Sequence, residues 1–295
     1  MSHTSKVTAL ITSLLLLTTA KAGVTNRVDA AIVDKAVTSQ LALSGMNAKV
    51  KTHLDLTMPF STKSQWALVV AKQPDEDSEN EDGAGNRIGA VIYCFVKNSN
   101  PDCSESMFLA KLKQAGKTFY DGERPFYTHF ASSVLYPESE NSSPLLWIKA
   151  CTYTNGDGDC GISTFLFAYD QTSDNFRIVF FNVTGRNQNQ ETRFIEHGLL
   201  AGHVIAVYPT GEAPYRYHVE VYKRGAIGDY EQILKYRGKT GYNDGNPLAV
   251  IDSQMLETLR RLGLWKTTDA LPVPPKMPAA CTRLVMRKNV EWCLP

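Results

Sequence analysis

The sequence lacks the short signatures that mark most enzyme centres. It has no H-E-x-x-H hook, no G-x-S-x-G elbow, no P-loop, no S-x-x-K and no C-x-x-C. Zinc-protease, serine-hydrolase, nucleotide-hydrolysing and dithiol-redox chemistry therefore have no local support. His53, His129, His197, His203 and His218 are scattered, and His197 and His203 alone, six positions apart around Gly198 and Gly202, could meet across a turn. An excess of either charge is also missing. The 31 basic and 30 acidic residues leave a formal net charge of +1, which offers no electrostatic case for a nucleic-acid partner or an anionic membrane surface. No motif calls for a cofactor, and none is expected.

Long apolar runs are scarce except at the start. Lys6 precedes the run Val7 to Thr19, centred on Leu14 to Leu17, and Ala20-Lys21-Ala22 follows as a small-x-small cleavage pattern. This predicts a signal peptide over 1–22 and a mature chain from Gly23. Thirteen residues are too few to cross a bilayer core of roughly 30 Å, and no later segment approaches 18 unbroken apolar positions. No integral membrane segment is expected after cleavage, and the expected location is periplasmic or secreted. Loss of Lys6 and Lys21 leaves 29 basic against 30 acidic residues, a net charge of −1.

What the chain does have is six cysteines in three close pairs: Cys94/Cys103, Cys151/Cys160 and Cys281/Cys293. An oxidising compartment lets such pairs persist as bridges. The first two pairs share a nine-residue separation and enclose turn-rich stretches, Asn98 to Asp102 and Asn155 to Asp159. Hairpin turns there would bring the flanking cysteines face to face, each bridge contributing roughly 2.5–3 kcal/mol by loop entropy. Zinc modules need closer hooks than these. Asn155, Asp157 and Asp159 have the one-three-five spacing of a calcium loop, yet Cys160 stands where such a loop needs Gly and Leu166 where it needs Glu. The acidic stretch Asp75 to Asp82 reads as a solvated loop.

Periodicity gives a mainly β fold, an antiparallel sheet arranged as a sandwich or propeller-like meanders, with an N-terminal and a C-terminal helix and three local disulfides. Asp29 to Leu43 reads as a helix ending before Gly45. Trp66 to Val70 and Ile88 to Val96 read as buried strands, and Met107 to Gln114 as a short helix. A later helix capped by Asp252 or Ser253 would bury Met255, Leu256, Leu259 and Leu262 and end near Gly263. Residues 23–270 form the expected body, divisible at 125/126 into two subdomains. Residues 271–295 form a Pro-rich tail with a disulfide loop.

A weak internal repeat runs through the middle. Leu145 to Lys149, Phe165 to Asp170 and Phe176 to Phe180 form one strand triplet; His203 to Val207, Tyr217 to Tyr222 and Tyr230 to Leu234 form another. In each, an aromatic residue closes the middle strand and another opens the third. Over 145–236 this resembles the strand–turn–strand units of FG-GAP-like repeats and of periplasmic inhibitor-type β domains, and the resemblance implies a binding scaffold.

The densest polar stretch is Gly185 to Arg193. Arg186 and Arg193 offer forked donors that could hold a carboxylate or sugar acid, with Asn187, Asn189 and Glu191 adding directional hydrogen bonds. These five are the candidate binding residues; a solvated loop tip explains the same composition. Tyr242 to Pro247 is a second turn of this kind. Asn141 and Asn182 fit the glycosylation sequon. The expected function is binding of a protein or envelope saccharide ligand, as an inhibitor or immunity factor against an envelope-directed enzyme. The alternatives are a carbohydrate-active hydrolase with paired carboxylates such as Glu191 and Asp244, and a component of a surface assembly.

Overall fold

The computed structural model describes residues 29–74, 89–103, 127–135, 143–153, 160–185, 190–212, 214–242, 250–265, 283–287 and 290–294. The described chain is mainly β, with antiparallel pairing throughout and a helix before and after the main sheets.

The first helix, α1 (Ala30–Leu43), starts where the Asp29 carboxylate accepts the Ala31 N–H at 3.0 Å, the usual service of an N-cap. It ends at Gly45, whose φ of 75° lets the chain turn back. Strands β1 (Lys49–Asp55), β2 (Trp66–Lys72), β3 (Val91–Lys97) and β4 (Asn100–Asp102) follow, with the single-turn helix α2 (Thr57–Phe60) between β1 and β2. Val33, Val37 and Leu41 of α1 pack on Ala67, Val69 and Ala71 of β2 and on Ile92, Cys94 and Val96 of β3. The alternate residues of both strands face the other way into an aromatic core. Burial on two faces explains why these strands read as continuous apolar runs instead of alternating ones.

The next four strands form a meander, β5 (Tyr127–Leu135), β6 (Leu145–Tyr153), β7 (Cys160–Asp170) and β8 (Asn175–Thr184). Among the described residues it joins the first four only through the pair Val91–Tyr127, and the eight-stranded sheet has two halves that fold face to face. Trp66, Phe95 and Phe60 from the first half meet Phe167 and Phe176 from the second at ring separations of 5.0–5.5 Å. This core straddles residue 125, drawing on both proposed subdomains.

A third sheet contains β9 (Glu191–Phe194), β10 (Val204–Thr210), β11 (Arg216–Arg224) and β12 (Tyr230–Arg237). One face packs on the second half-sheet, where Phe194, Val204, Tyr222 and Tyr230 meet Leu145, Leu166 and Phe180. The other face is covered by the second long helix, α3 (Val250–Arg261). The layers therefore stack as helix, half-sheet, half-sheet, sheet, helix. A two-stranded hairpin, β13 (Arg283–Arg287) with β14 (Val290–Leu294), lies in the stretch read as tail.

The repeat has a structural counterpart in this stacking. Its two triplets are β6–β7–β8 and β10–β11–β12. Tyr169 and Phe176 lie against the first half-sheet, while Tyr222 and Tyr230 lie edge-on to Phe180 of the second, at 5.2 and 5.8 Å. Each meander thus turns its aromatic pair toward the layer before it.

The bridge Cys94–Cys103 forms as expected. Asn98 and Ser99 both take positive φ, which fits the twist of a two-residue hairpin, and the register Phe95–Asp102 brings the two cysteines side by side. Cys151 is disulfide-bonded; the side chains of Cys160 and Cys293, and all of Cys281, lie outside the described residues, so the three-bridge expectation is met for one pair. The signal peptide, the acidic stretch 75–82, the helix expected at 107–114, and Asn155, Asp157 and Asp159 also lie outside them. Leu166 is a core residue of β7.

Helix α3 departs from expectation at its start and on its buried face. It begins at Val250, so Asp252 and Ser253 are inside its first turn. Val250, Ile251, Gln254, Thr258 and Leu259 are buried, with Met255, Leu256 and Leu262 at the margin of the same cluster. Two polar residues turn inward because buried tyrosines need hydroxyl partners. Tyr236 bonds Thr258 at 2.8 Å, and Tyr242 accepts from Gln254 at 2.8 Å.

One turn carboxylate ties the two half-sheets together. Asp174, in the β7–β8 turn at φ 47°, accepts from Ser64 Oγ (2.5 Å), Trp66 Nε1 (3.0 Å) and Tyr169 OH (2.7 Å), and pairs with Lys97 Nζ at 2.9 Å. Burial alone would raise its pKa. The four donors outweigh that and hold the carboxyl far below the ordinary aspartate value.

Candidate functional site

The polar stretch after β8 ends in a strand. Glu191 and Arg193, read as loop residues, belong to β9, with Glu191 opposite Val207 and Arg193 opposite Ile205 on β10. The short run Glu191-Thr-Arg-Phe194 alternates polar and apolar character too briefly to stand out in the sequence. Thr192 and Phe194 are buried, and Arg193 reaches α3. Its Nε and NH2 hold the two Glu191 oxygens at 2.6 and 2.8 Å, and its NH1 holds Asp252 at 2.6 Å. The Arg193 fork therefore serves the chain itself. Burial works against its charge, but the two carboxylates outweigh that and raise its pKa further.

Replacing Arg193 by alanine leaves two half-buried carboxylates without their donor and should cost about 1–3 kcal/mol. A chemical denaturation midpoint will show it; an unchanged midpoint would mean the clamp is dispensable.

Arg186, Asn187 and Asn189 lie outside the described residues. The base of their loop is described. The Gly185 N–H donates to Gln190 Oε1 at 2.9 Å, joining the two ends, and a Cβ on Gly185 would displace only the end of the Gln190 side chain, 2.5 Å away. Directly beneath, Asn182 donates to Thr192 Oγ1 at 2.7 Å and accepts from Tyr208 OH at 2.6 Å. Asn182 is only 5% exposed, so its sequon is closed to glycosylation in the folded chain.

These bonds begin a polar seam between the second half-sheet and the third sheet. Tyr208 is pushed up to about 12, mainly by burial. Glu220 accepts from Tyr222 OH at 2.6 Å and pairs with Lys235 at 2.8 Å. Burial opposes its ionisation, yet those partners hold its carboxyl below the usual range; the Tyr222 phenol is raised by burial and by that same bond.

Next to Asn182 across the strands come Thr164 on β7 and Lys149 on β6, directly opposite each other. Lys149 has its pKa lowered, chiefly by burial; Glu191 opposes that shift and Arg193 reinforces it. Its ammonium lies over the Trp147 ring, 4.8 Å from the centroid. Thr164 is 2% exposed, and among the described residues neither its hydroxyl nor the buried Nε1 of Trp147 has a hydrogen-bond partner. No single-sequence signal marked these three residues, because a lone lysine or threonine in an apolar strand reads as ordinary alternation.

Among the described residues, no three His, Cys, Asp or Glu side chains converge as a metal site. His203 Nδ1 lies 3.0 Å from the Leu200 carbonyl oxygen, within its own turn. Glu191 is held by Arg193, and its suggested hydrolytic partner Asp244 lies outside the described residues. No described helix is long and apolar enough to cross a membrane.

Comparison with known families, characterised proteins and solved structures finds no match to this chain.

Proposed function

We propose that this is an exported binding protein, periplasmic or secreted, that recognises a protein or envelope saccharide ligand through the loop between β8 and β9 and acts as an inhibitor or immunity factor against an envelope-directed enzyme. The supporting observation is the fixed base of that loop: Gly185 with Gln190, Asn182 with Thr192, and Arg193 with Glu191 and Asp252. A base fixed by hydrogen bonds lowers the ordering cost of binding. Arg186, Asn187 and Asn189 are the proposed contacts. Glu191 and Arg193 position them.

The oxidised Cys94–Cys103 pair supports export, since such bridges persist outside the reducing cytosol. We extend the same chemistry to Cys151–Cys160 and Cys281–Cys293 as further local bridges. Non-reducing peptide mapping checks them, and a linkage between different pairs would overturn that assignment.

The binding test uses the full mature chain and a triple variant, Arg186→Ala with Asn187→Ala and Asn189→Ala. Capture of envelope proteins or cell-wall saccharide by the immobilised protein should drop at least about tenfold in the variant, with an unchanged melting temperature, as for surface positions. Equal capture by both proteins would remove this loop as the site.

A further inference from the structure

We infer that Trp147, Lys149 and Thr164 form a binding site for a small carboxylate, on the face of β6 and β7 turned toward the third sheet. This site is separate from the β8–β9 loop and does not depend on the reading given for that loop.

The argument starts from donors without acceptors. Thr164 is almost fully buried with an unpaired hydroxyl, and the buried indole N–H of Trp147 is likewise unpaired. Each such group gives up its hydrogen bond to water on folding with nothing in return. Valine would fill the Thr164 position at the same size without that cost. The two groups are also neighbours. Thr164 is directly opposite Lys149, and Trp147, two residues before Lys149 on β6, is opposite Leu166. Directly opposed strand residues share a face, and their diagonal neighbours are about 7–8 Å apart, within reach of long and aromatic side chains.

The third donor is Lys149 itself. Its ammonium is placed over the indole ring and, among the described residues, is not clamped by a carboxylate as Arg193, Lys97 and Lys235 are. The nearest charges, Glu191 and Arg193, act on it in opposite directions. The neighbouring acceptor is committed, because the Asn182 carbonyl oxygen takes the Tyr208 hydroxyl. The patch thus presents an ammonium, a hydroxyl and an indole N–H.

A group that offers acceptors alone, carries negative charge and is narrow enough to reach a residue lying between two sheets is what this set fits. A carboxylate has two oxygens with about four lone-pair directions, and bonds to a charged donor are the stronger kind. A tetrahedral phosphate is bulkier than a planar carboxylate. The ligand class is therefore a monocarboxylate on a slim stem.

The test titrates the full mature protein with propionate while following indole N–H resonances by NMR, with Trp147 assigned from Trp147→Phe. The expected result is a saturable shift of the Trp147 indole signal with propionate and none with 1-propanol, which has the same chain without the charge. Thr164→Val and Lys149→Met should each weaken binding by about tenfold, the effect of losing one charge-assisted or buried bond. Thr164→Val should keep or raise the melting temperature, and being isosteric it decides the matter if Lys149→Met fails to fold. A non-saturable shift, an equal response to propanol, or undiminished binding by Thr164→Val would overturn the site. Equal or tighter binding of inorganic phosphate would overturn the carboxylate assignment.

Discussion

Asp174→Ala should destabilise the protein by about 2–4 kcal/mol, because it removes the shared acceptor of four donors and leaves the Trp66 indole N–H without one. The donors come from positions 64, 66, 97 and 169, so the loss loosens the β7–β8 turn from β2 and β3 together. The effect should depend on pH in a defined direction. The folded carboxyl titrates far below its ordinary value, so its contribution is fully present above about pH 4, the unfolded aspartate pKa. It is lost as pH falls below that toward the folded value. Urea midpoints for the two proteins should therefore differ by a constant amount between about pH 5 and 7 and converge below about pH 4. A difference that does not shrink in acid would mean that the alanine acts through packing and not through the charge.

Phe176→Ala should be costlier still, about 3–5 kcal/mol. The Phe176 ring lies within 5.5 Å of Phe60, Trp66, Phe95 and Tyr169, which come from both half-sheets. Among the described residues the two halves share a single strand pair, at Val91 and Tyr127, so this aromatic contact carries much of the packing between them. The measurement is the chemical denaturation midpoint, with Ile227→Ala as a control because Ile227 is an exposed turn residue expected to stay within about 0.5 kcal/mol. A loss at Phe176 no larger than at Ile227 would mean the half-sheets are held elsewhere.

Trp66, Phe165, Phe167, Val219 and Val221, each in an apolar or alternating strand, are buried. Trp147 belongs with them by pattern but is only partly buried, at the margin of the contact between the second half-sheet and the third sheet. Its pattern says which face it takes, not how closely the next layer covers that face. Arg193 shows a similar division. Its residue type announces a fork for a carboxylate, and a carboxylate is there, but it comes from within the chain, from Asp252, 59 positions away.

The sequence by itself determined the local features: the α1 cap at Asp29 and stop at Gly45, the hairpin at Asn98-Ser99 with its Cys94–Cys103 bridge, and the doubly buried strands β2 and β3. Each rests on backbone preference or periodicity over a few residues, which a chain carries in its order alone. Tertiary structure decided the rest. Asp174 meets Ser64 and Trp66 across more than 100 positions, and Asn182 meets Tyr208 between two sheets. Lys149 and Thr164 share one interlayer seam. These encounters depend on strand register and on which layer lies over which, quantities fixed by burying all the apolar faces at once and by no short stretch of sequence.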